Sequence, residues 1–257
     1  MSSTFYESSK ALSEYLLFHY GTAEQILSPS CEGLEAALHY PVRCVSECLD
    51  VSKLPTPSRA LDLGCAVGRS SFELARHAST VIGMDFSHRF VAVADHLKKQ
   101  GSITYAYLDE GQLTIPATAI VPPHIERARV SFEQGDAQRL RPDLGDFDVV
   151  LMANLIDRLQ EPRKCLDELP RLVRAGGQLI ITSPYTWMEE HTPLGNWLGG
   201  FEEDERKVRT LDTLTSLLRD GFELTATRDM PFLIREHSRK FQWSVAQASL
   251  WIRRGAP

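Results

Sequence analysis

The stretch Arg59-Ala-Leu-Asp-Leu-Gly-Cys-Ala-Val-Gly-Arg-Ser-Ser-Phe-Glu-Leu-Ala-Arg-His77 decides the fold. It predicts a short apolar strand that ends near Asp62, a turn that contains Gly64 and Gly68, and then a helix. Glycine lets the backbone approach a ligand closely, and the start of a helix offers unpaired N–H groups. The stretch therefore predicts a ligand site across the turn.

Polar residues end three further apolar strands, which follow in the order Thr80–Asp85, Val130–Ala137 and Asp146–Asn154. Asp85 stands 23 residues after Asp62, where a carboxylate can accept hydrogen bonds from both hydroxyls of a ribose. Each of these polar residues alone is also typical of a turn or a helix cap. Ligands of open α/β sheets bind at the carboxyl ends of the strands, so the four ends together predict one site.

Strands and helices alternate from residue 60 to residue 182, which predicts an α/β fold with a mainly parallel, doubly wound sheet. We interpret residues 1–257 as a single domain. It consists of an N-terminal helical cap over 1–54 and a sheet domain over 58–257. In the cap, the apolar spacing predicts a helix over 5–20 and a second one over 33–50, broken near Pro41.

Two additions enlarge the sheet domain. Residues 102–122 alternate in polarity on both sides of a turn, which predicts an inserted β-hairpin. Residues 184–206 form a long segment with several aromatic residues, which favours an ordered lid over a disordered loop. Residues 222–234 and 241–253 predict a final pair of strands at the edge of the sheet.

Composition excludes several classes of function. The formal charge of −6 argues against a nucleic-acid surface, and no apolar run is long enough to predict a membrane span. A local basic group at Arg235, Arg239 and Lys240 is equally typical of a solvated strand edge. The five cysteines show no metal-ligand spacing, so we expect no metal, reduced thiols and a cytoplasmic location.

Residues 61–68, Leu-Asp-Leu-Gly-Cys-Ala-Val-Gly, resemble the first motif of class I S-adenosylmethionine-dependent methyltransferases, with Ala66 where that family most often has glycine. The spacing differs from the G-x-G-x-x-G of nicotinamide sites, which disfavours an oxidoreductase. The resemblance implies a Rossmann-like, seven-stranded sheet, S-adenosylmethionine as the cofactor, and an acid at Asp136 that accepts the adenine amino group.

The candidate cofactor-binding residues are those at the strand ends and turns, with one arginine from the cap. They are Arg43, Asp62, Gly64, Cys65, Ala66, Gly68, Asp85, Phe86, Asp136, Ala137 and Asn154. Arg43 is a candidate for binding the carboxylate of the methionine part, and a surface ion pair is an equal alternative for it.

The sequence after the fourth strand bears on the substrate. Nucleic-acid and protein-glutamine methylases have Asn/Asp-Pro-Pro-aromatic there, whereas this chain has Asn154-Leu-Ile-Asp157. A small-molecule acceptor is the better interpretation.

Five segments resemble the mercaptohistidine N-methyltransferases of ovothiol biosynthesis over approximately residues 5–253. They are Tyr6-Glu-Ser, Glu14-Tyr-Leu-Leu-Phe-His-Tyr-Gly21, Tyr40-Pro-Val-Arg-Cys44, Ser183-Pro-Tyr-Thr-Trp187 and Arg239-Lys-Phe-Gln-Trp243. This resemblance implies methyl transfer to an imidazole nitrogen of 5-thiohistidine, which gives ovothiol A and S-adenosylhomocysteine. It also implies a sulfoxide synthase as a functional partner.

Candidate residues for the acceptor site follow from their chemistry and from these segments. The catalytic candidates are Tyr20, Tyr185, His19 and Asp157, and the substrate-binding candidates are Tyr6, His19, Tyr20, Tyr185, Trp187, His191, Arg235 and Arg239. A lone aromatic residue is more often part of the core. Two alternatives stay open: a methyltransferase for another small acceptor, and a cofactor-binding domain without activity, which Ala66 alone favours.

Overall fold

The computed structural model describes residues 3–27 and 33–255. Within these residues there are eleven strands: β1 Arg59–Leu63, β2 Thr80–Asp85, β3 Ser102–Glu110, β4 Leu113–Ile120, β5 Val130–Gln134, β6 Phe147–Ala153, β7 Val173–Ser183, β8 Phe201–Glu203, β9 Arg206–Val208, β10 Phe222–His237 and β11 Lys240–Arg253. The α-helices of the same residues are α1 Ser3–Tyr6, α2 Ser9–Tyr20, α3 Ala23–Ile26, α4 Tyr40–Ser46, α5 Arg69–Leu74, α6 His88–Gln100, α7 Pro162–Leu172 and α8 Thr210–Leu218.

Seven strands form the central sheet in the order β10-β11-β7-β6-β1-β2-β5. The five strands from β7 to β5 are parallel, while β11 is antiparallel to β7 and β10 is antiparallel to β11. This confirms the predicted Rossmann-like, mainly parallel sheet. Since strands of such a sheet are covered on both faces, the apolar runs of β1 and β6 are almost fully buried.

The two faces of the sheet support separate cores because successive side chains of a strand point to opposite sides. Ala60, Val149 and Leu151 lie in the core shared with the cap. Leu61, Leu63, Val150 and Met152 lie in the other core, with α7 and α8.

The first predicted cap helix is confirmed over Ser9–Tyr20, and the chain turns once between α1 and α2. The Ser8 side chain accepts a hydrogen bond from Ala11 N at 3.1 Å, which satisfies one free donor of the helix start. Gly21 ends the helix, and its N–H bonds Leu17 O at 2.8 Å.

The second cap helix was predicted over 33–50 with a break near Pro41, and this prediction was wrong about the length of the helix and the position of Pro41 in it. Pro41 lies in the first turn of α4, where a missing N–H costs no hydrogen bond. The residues before it form a short 3-10 turn, Glu35–Ala37, and α4 is only seven residues long. Proline therefore starts this helix and does not interrupt it.

The inserted hairpin is confirmed as β3 and β4, an antiparallel pair that packs against α2 and β10. Cys44, Cys48, Cys65 and Cys165 are buried free thiols, and Cys31 lies outside the described residues. No helix of the described residues has both the length and the apolar character required to cross a bilayer.

Candidate functional site

A cavity of about 350 Å³ lies at the carboxyl ends of β1, β2, β5 and β6, beneath the cap helices. This volume lies within the range of small-molecule sites. The predicted site residues that line it are Tyr6, His19, Gly64, Cys65, Ala66, Asp85, Phe86, Asp136, Ala137 and Asn154. The predicted convergence of the strand ends is therefore confirmed, and we call this space the cap cavity.

The turn after β1 is attached to β2, since Gly64 N and Cys65 N both donate to Met84 O, at 2.8 and 3.0 Å. Gly64 has φ +77°, and Ala66 has φ +47°, so Ala66 adopts the left-handed conformation despite its methyl group. A methyl group at Gly64 would lie 3.0 Å from Leu155 Cδ1. The replacement of the family's usual glycine by Ala66 thus leaves the shape of the turn intact.

Asp85 lies at the end of β2 and faces the cap cavity. Its Oδ2 accepts from Ala66 N at 2.8 Å, and its Oδ1 accepts from Ser87 N at 2.9 Å. Burial raises the pKa of this carboxyl to about 6, although the two N–H donors oppose the rise. Each oxygen retains acceptor capacity, so the carboxylate fits a pair of ribose hydroxyls.

Asp136 and Ala137 line the cavity after β5. Asp136 Oδ1 accepts from Gln138 N at 2.9 Å and from Gln138 Nε2 at 3.1 Å. Within residues 3–27 and 33–255, no hydrogen bond occupies Asp136 Oδ2. This oxygen fits an amino donor such as that of adenine.

Asn154 follows β6 with φ +52°, a conformation that asparagine tolerates. Its Oδ1 accepts from Tyr40 Oη at 2.8 Å, and Tyr40 Oη also lies 2.7 Å from Thr182 Oγ1. Because the amide oxygen is occupied, the amide nitrogen of Asn154 is the group left to bind a ligand. Tyr40, a residue that the cofactor prediction missed, thereby sets which end of the amide faces the cavity.

Aromatic rings from the cap and α6 form one wall of the cavity, which we call the aromatic wall: Tyr6, Tyr15, Phe18, His19 and Phe90. The ring centroids of Tyr15 and Phe90 are 4.9 Å apart, and those of Tyr15 and His19 are 5.8 Å apart. Tyr15 and His19 are one helical turn apart on α2, and this spacing is the signal that could have identified Tyr15.

His19 is the strongest of the predicted acceptor-site residues. Only 8% of its surface is exposed, and burial, together with the charge of Arg69, lowers the pKa of its imidazole to about 3. Its Nδ1 is buried and has no hydrogen-bond partner within the described residues. A neutral imidazole with an unsatisfied ring nitrogen therefore borders the cavity.

Three predicted cofactor residues support the site without lining it. Asp62 is buried and accepts from Ser71 Oγ at 2.7 Å, and burial raises its pKa to about 7. Gly68 ends the turn with φ +84°, and a methyl group there would lie 2.6 Å from Phe132 Cζ, so tight packing requires glycine. Arg43 donates to Glu47 Oε1 at 2.6 Å and to Pro231 O at 2.9 Å. The prediction of Arg43 as a carboxylate ligand was wrong, and its ion-pair alternative is what the structure shows.

Tyr20 also lies outside the lining of the cap cavity. Its hydroxyl donates to Val67 O at 2.8 Å and so attaches α2 to the glycine turn. Burial raises the pKa of this hydroxyl far above its ordinary value, which disfavours its use as a base. The structure gives Tyr20 a supporting contact in place of the predicted catalytic one.

Tyr185 and Trp187 line a different cavity, of about 620 Å³, beside β8, β9 and α8. Tyr185 Oη donates to Gln247 Oε1 at 3.0 Å, and Trp187 Nε1 donates to Thr210 Oγ1 at 2.9 Å. Segment 184–206 is ordered, as predicted, but it does not line the cap cavity. Its tryptophans are part of the core on the opposite face of the sheet, and its interpretation as a lid stays a prediction.

The remaining acceptor-site candidates are also not brought to the cap cavity. His191 lies beside Glu190, with 3.2 Å between Nε2 and Oε1. Arg235 is buried, where its Nη1 donates to Gln25 O at 2.7 Å, and Arg239 is exposed at the turn between β10 and β11. Asp157 is buried behind the cavity lining, where it contacts Arg158.

The lining also includes residues that the sequence interpretation did not name as site residues. The main ones are Tyr15, Phe18, Tyr40, Ser70, Phe90, Gln138, Leu155, Arg158 and Gln160. Arg158 directly follows Asn154-Leu-Ile-Asp157, so its position after β6 was a usable signal. Within the residues that the structure describes, no three His, Cys, Asp or Glu side chains form a group that could bind a metal ion.

Comparison with known proteins agrees with this geometry. Residues 61–181 match the protein family described as "Methyltransferase domain". This match spans β1 to β7, the part of the sheet that provides the turn, Asp85, Asp136 and Asn154.

Two curated relatives are methyltransferases. A demethylmenaquinone methyltransferase of Clavibacter sepedonicus is 31% identical over 123 residues, 48% of this chain and 40% of the relative. A norajmaline N-methyltransferase of Rauvolfia serpentina is 26% identical over 205 residues, 76% of this chain and 59% of the relative. The chain spans less than two thirds of the length of either relative.

A solved structure shows the same fold over nearly the whole chain. The magnesium protoporphyrin IX methyltransferase of Synechocystis PCC 6803, solved with bound SAH, aligns with a TM-score of 0.60 at 15% identity, covering 99% of this chain and 98% of that one. This likeness shows that the chain has the same fold. Residues 61–181 thus match a methyltransferase domain, the chain has the Rossmann-like fold of class I methyltransferases, and S-adenosylmethionine is the cofactor of that fold.

Proposed function

We propose that this protein transfers the methyl group of S-adenosylmethionine to an imidazole ring nitrogen of 5-thiohistidine (4-mercaptohistidine), giving ovothiol A and S-adenosylhomocysteine. The observation that carries the proposal is the aromatic wall, which lines the same cavity as the cofactor turn. Three of the five segments that resemble ovothiol-forming methyltransferases contribute to this cavity, through Tyr6, through α2 and through Tyr40.

The polar side of the cavity fits the cofactor. Asp85 would accept the ribose hydroxyls, Asp136 Oδ2 the adenine amino group, and the amide nitrogen of Asn154 would donate to the methionine part. The bound cofactor supplies a sulfonium methyl carbon that is already electrophilic. Gly64 and Ala66, which both have left-handed conformations, let the backbone of the turn lie against the cofactor.

The aromatic wall fits a flat, small acceptor. Tyr6 and Tyr15 would stack against an imidazole ring, and the neutral ring of His19 would lie beside it. Binding in this manner orients the acceptor and excludes water, which supplies a large part of the rate acceleration in a transfer between two bound groups. With a pKa of about 3, His19 stays neutral and serves to orient the acceptor, not to remove its proton.

The test is a turnover assay read by mass spectrometry. Purified protein is incubated with S-adenosylmethionine and 5-thiohistidine, with histidine as the parallel control. We expect a gain of one methyl group on 5-thiohistidine, assigned to a ring nitrogen by NMR, and no comparable product from histidine. S-adenosylmethionine binding without any product from 5-thiohistidine would reject this acceptor while leaving the fold and cofactor in place.

The relatives favour one second candidate, methyl transfer to the nitrogen of another small molecule, because one of them is a norajmaline N-methyltransferase. A panel of small amines in the same assay distinguishes the two candidates. For the first candidate, the family resemblance implies a sulfoxide synthase as the functional partner that supplies 5-thiohistidine. The free buried thiols support a cytoplasmic location for this protein.

A further inference from the structure

We propose that Arg158 is the carboxylate-binding residue of the cap cavity and that its ligand is an α-amino acid group. This inference rests on the proposed function, since S-adenosylmethionine and 5-thiohistidine both contain such a group. It replaces the predicted roles of Arg43 and Arg235, which do not line the cap cavity and donate hydrogen bonds to other parts of the fold.

Arg158 is the one lysine or arginine among the described residues that line the cap cavity. It lies in the short 3-10 turn Ile156–Arg158, directly after the carboxyl end of β6. Its side chain is 26% exposed, so it is neither buried in the core nor free in bulk solvent. A partly desolvated guanidinium binds a carboxylate more strongly than a surface arginine does.

The guanidinium of Arg158 is attached to the protein by one nitrogen. Nη1 donates to Asp157 O and to Thr186 O, each at 3.0 Å, and lies 3.3 Å from Asp157 Oδ2. Nε and Nη2 make no hydrogen bond within residues 3–27 and 33–255. These two nitrogens form one edge of the planar fork, and that edge matches both oxygens of a carboxylate.

Asp157 acts as the positioning residue for Arg158. It is fully buried, and its Oδ2 accepts from Thr186 N at 3.1 Å, so the carboxylate beside Nη1 cannot turn away freely. Arginine side chains lose considerable rotamer freedom when they bind a ligand. A fixed Nη1 therefore lowers the entropy lost when the open edge binds a carboxylate.

Arg158 lies close to the aromatic wall as well as to the strand ends. Burial raises the pKa of Tyr6, and the charge of Arg158 is the largest influence that opposes this rise. The guanidinium is therefore within electrostatic reach of the proposed acceptor position. Its ligand is either the carboxylate of the acceptor or that of the methionine part of the cofactor.

A comparison of ligands with and without a carboxylate tests the proposal and separates these two sources. Calorimetry compares S-adenosylhomocysteine with S-adenosyl-3-thiopropylamine, which lacks only the carboxylate. Turnover, as kcat/KM, compares 5-thiohistidine with its decarboxylated analogue. For each pair, the value for the ligand with the carboxylate is divided by the value for the ligand without it. This ratio is measured for the wild type, Arg158→Gln, Arg158→Lys and Asp157→Asn, with Arg219→Gln as the matched control because Arg219 is exposed and does not line the cavity.

We expect one of the two ratios to be at least about tenfold in the wild type and to fall to about one in Arg158→Gln, since a charge-assisted pair is lost. Arg158→Lys retains the charge without the fork and gives an intermediate ratio. Asp157→Asn lowers the same ratio without abolishing it, whereas Arg219→Gln leaves it unchanged. If Arg158 only supported the fold, its substitution would reduce the value for both ligands of a pair by the same factor and leave their ratio unchanged.

If both ratios in Arg158→Gln stay within about twofold of the wild type while its circular dichroism is unchanged, the proposal is overturned. If the wild type does not methylate 5-thiohistidine, the proposed function fails and the cofactor ratio alone decides. If the affinity ratio of the two cofactor products is then the same in Arg158→Gln as in the wild type, Arg158 does not bind a carboxylate. If this ratio falls to about one in Arg158→Gln, Arg158 binds the carboxylate of the methionine part.

Discussion

Tyr40 Oη lies 2.8 Å from Asn154 Oδ1 and joins the first turn of a cap helix to the residue that follows β6. The two residues are separated by 114 positions in the sequence. The contact couples the cap to the polar end of the sheet, so the cap contributes to the geometry of the cofactor site as well as covering it.

Tyr40→Phe tests this coupling. The substitution leaves Asn154 Oδ1 and Thr182 Oγ1 without their phenol partner in a buried position. We expect the free energy of unfolding in urea to fall by about 1–3 kcal/mol. S-adenosylhomocysteine binding should weaken as well, because the Asn154 amide is no longer fixed. Tyr107→Phe in the inserted hairpin is the control, and equal losses in both variants would contradict a specific role of the contact.

Asp85→Asn tests the ribose ligand. Burial raises the pKa of Asp85 to about 6, and the ionised form is the better acceptor for hydroxyl donors. Cofactor affinity of the wild type should therefore increase as the pH rises through about 6 and level off above about 7. In calorimetry, Asp85→Asn should bind S-adenosylhomocysteine at least about tenfold more weakly and lose this pH dependence. A retained pH dependence would assign the titration to another group.

Asp62→Asn should change how stability depends on pH. Burial raises the pKa of Asp62 to about 7, so the folded state retains a proton that the unfolded chain releases near pH 3.8. The contribution of Asp62 to wild-type stability is thus lost as the pH rises from the unfolded pKa of 3.8 through about 7, and it amounts to on the order of 4 kcal/mol.

The amide introduced by Asp62→Asn cannot ionise and can still accept from Ser71, so the variant should lose less stability between acid and neutral pH than the wild type. Urea unfolding at about pH 5 and about pH 8 measures this difference. Asp143→Asn is the control, since Asp143 is exposed and its hydrogen bond to Arg141 lowers its pKa. An identical pH dependence of wild type and Asp62→Asn would refute the prediction.

His19→Phe should affect the acceptor more than the cofactor. Phenylalanine retains a flat ring in the aromatic wall but removes the unsatisfied Nδ1. We expect kcat/KM for 5-thiohistidine to fall about tenfold or more, with S-adenosylhomocysteine affinity within about twofold of the wild type. His96→Phe, on the exposed side of α6, is the control.

The pH profile of the wild type adds a second measurement for His19. Because its pKa is lowered to about 3, at saturating cofactor this imidazole should produce no inflection in kcat between about pH 5 and pH 8. An inflection that disappears in His19→Phe would show that the residue titrates during turnover.

Tyr185→Phe tests whether segment 184–206 contributes to the acceptor site. The tyrosine hydroxyl bonds Gln247 beside the second cavity, outside the lining of the cap cavity. We expect kcat/KM to change by less than about twofold and stability to fall by about 0.5–1.5 kcal/mol. A loss of turnover similar to that expected for His19→Phe would show that this segment contributes to the acceptor site.

The polar side of the cofactor site was predictable from local sequence. Gly64, Asp85, Asp136 and Asn154 each follow an apolar strand, and parallel strands bring their carboxyl ends to one edge of a sheet. The inserted hairpin was predictable for a similar reason, since alternation on both sides of a turn is a local pattern. Contacts between residues close in sequence, or between strands that follow one another in a regular order, can be predicted without knowing the rest of the fold.

The acceptor side was not predictable in this way. Arg43, Arg158 and Arg235 have the same chemistry in the sequence, yet only Arg158 lines the cap cavity, while the others bond backbone and side-chain groups of the cap and β10. Tyr185 and Trp187 lie in a segment rich in aromatic residues, but its packing on the opposite face of the sheet removes them from the site.

The strand pattern and the glycine turn thus specify the sheet and the edge where a ligand binds, because these depend on short-range periodicity and backbone conformation, while the cofactor was implied by the resemblance of residues 61–68 to a methyltransferase motif. The choice of arginine, the aromatic wall and the position of segment 184–206 depend on which face of the sheet each distant segment packs against. That choice is made by the burial of whole apolar surfaces, which no local stretch of this chain encodes.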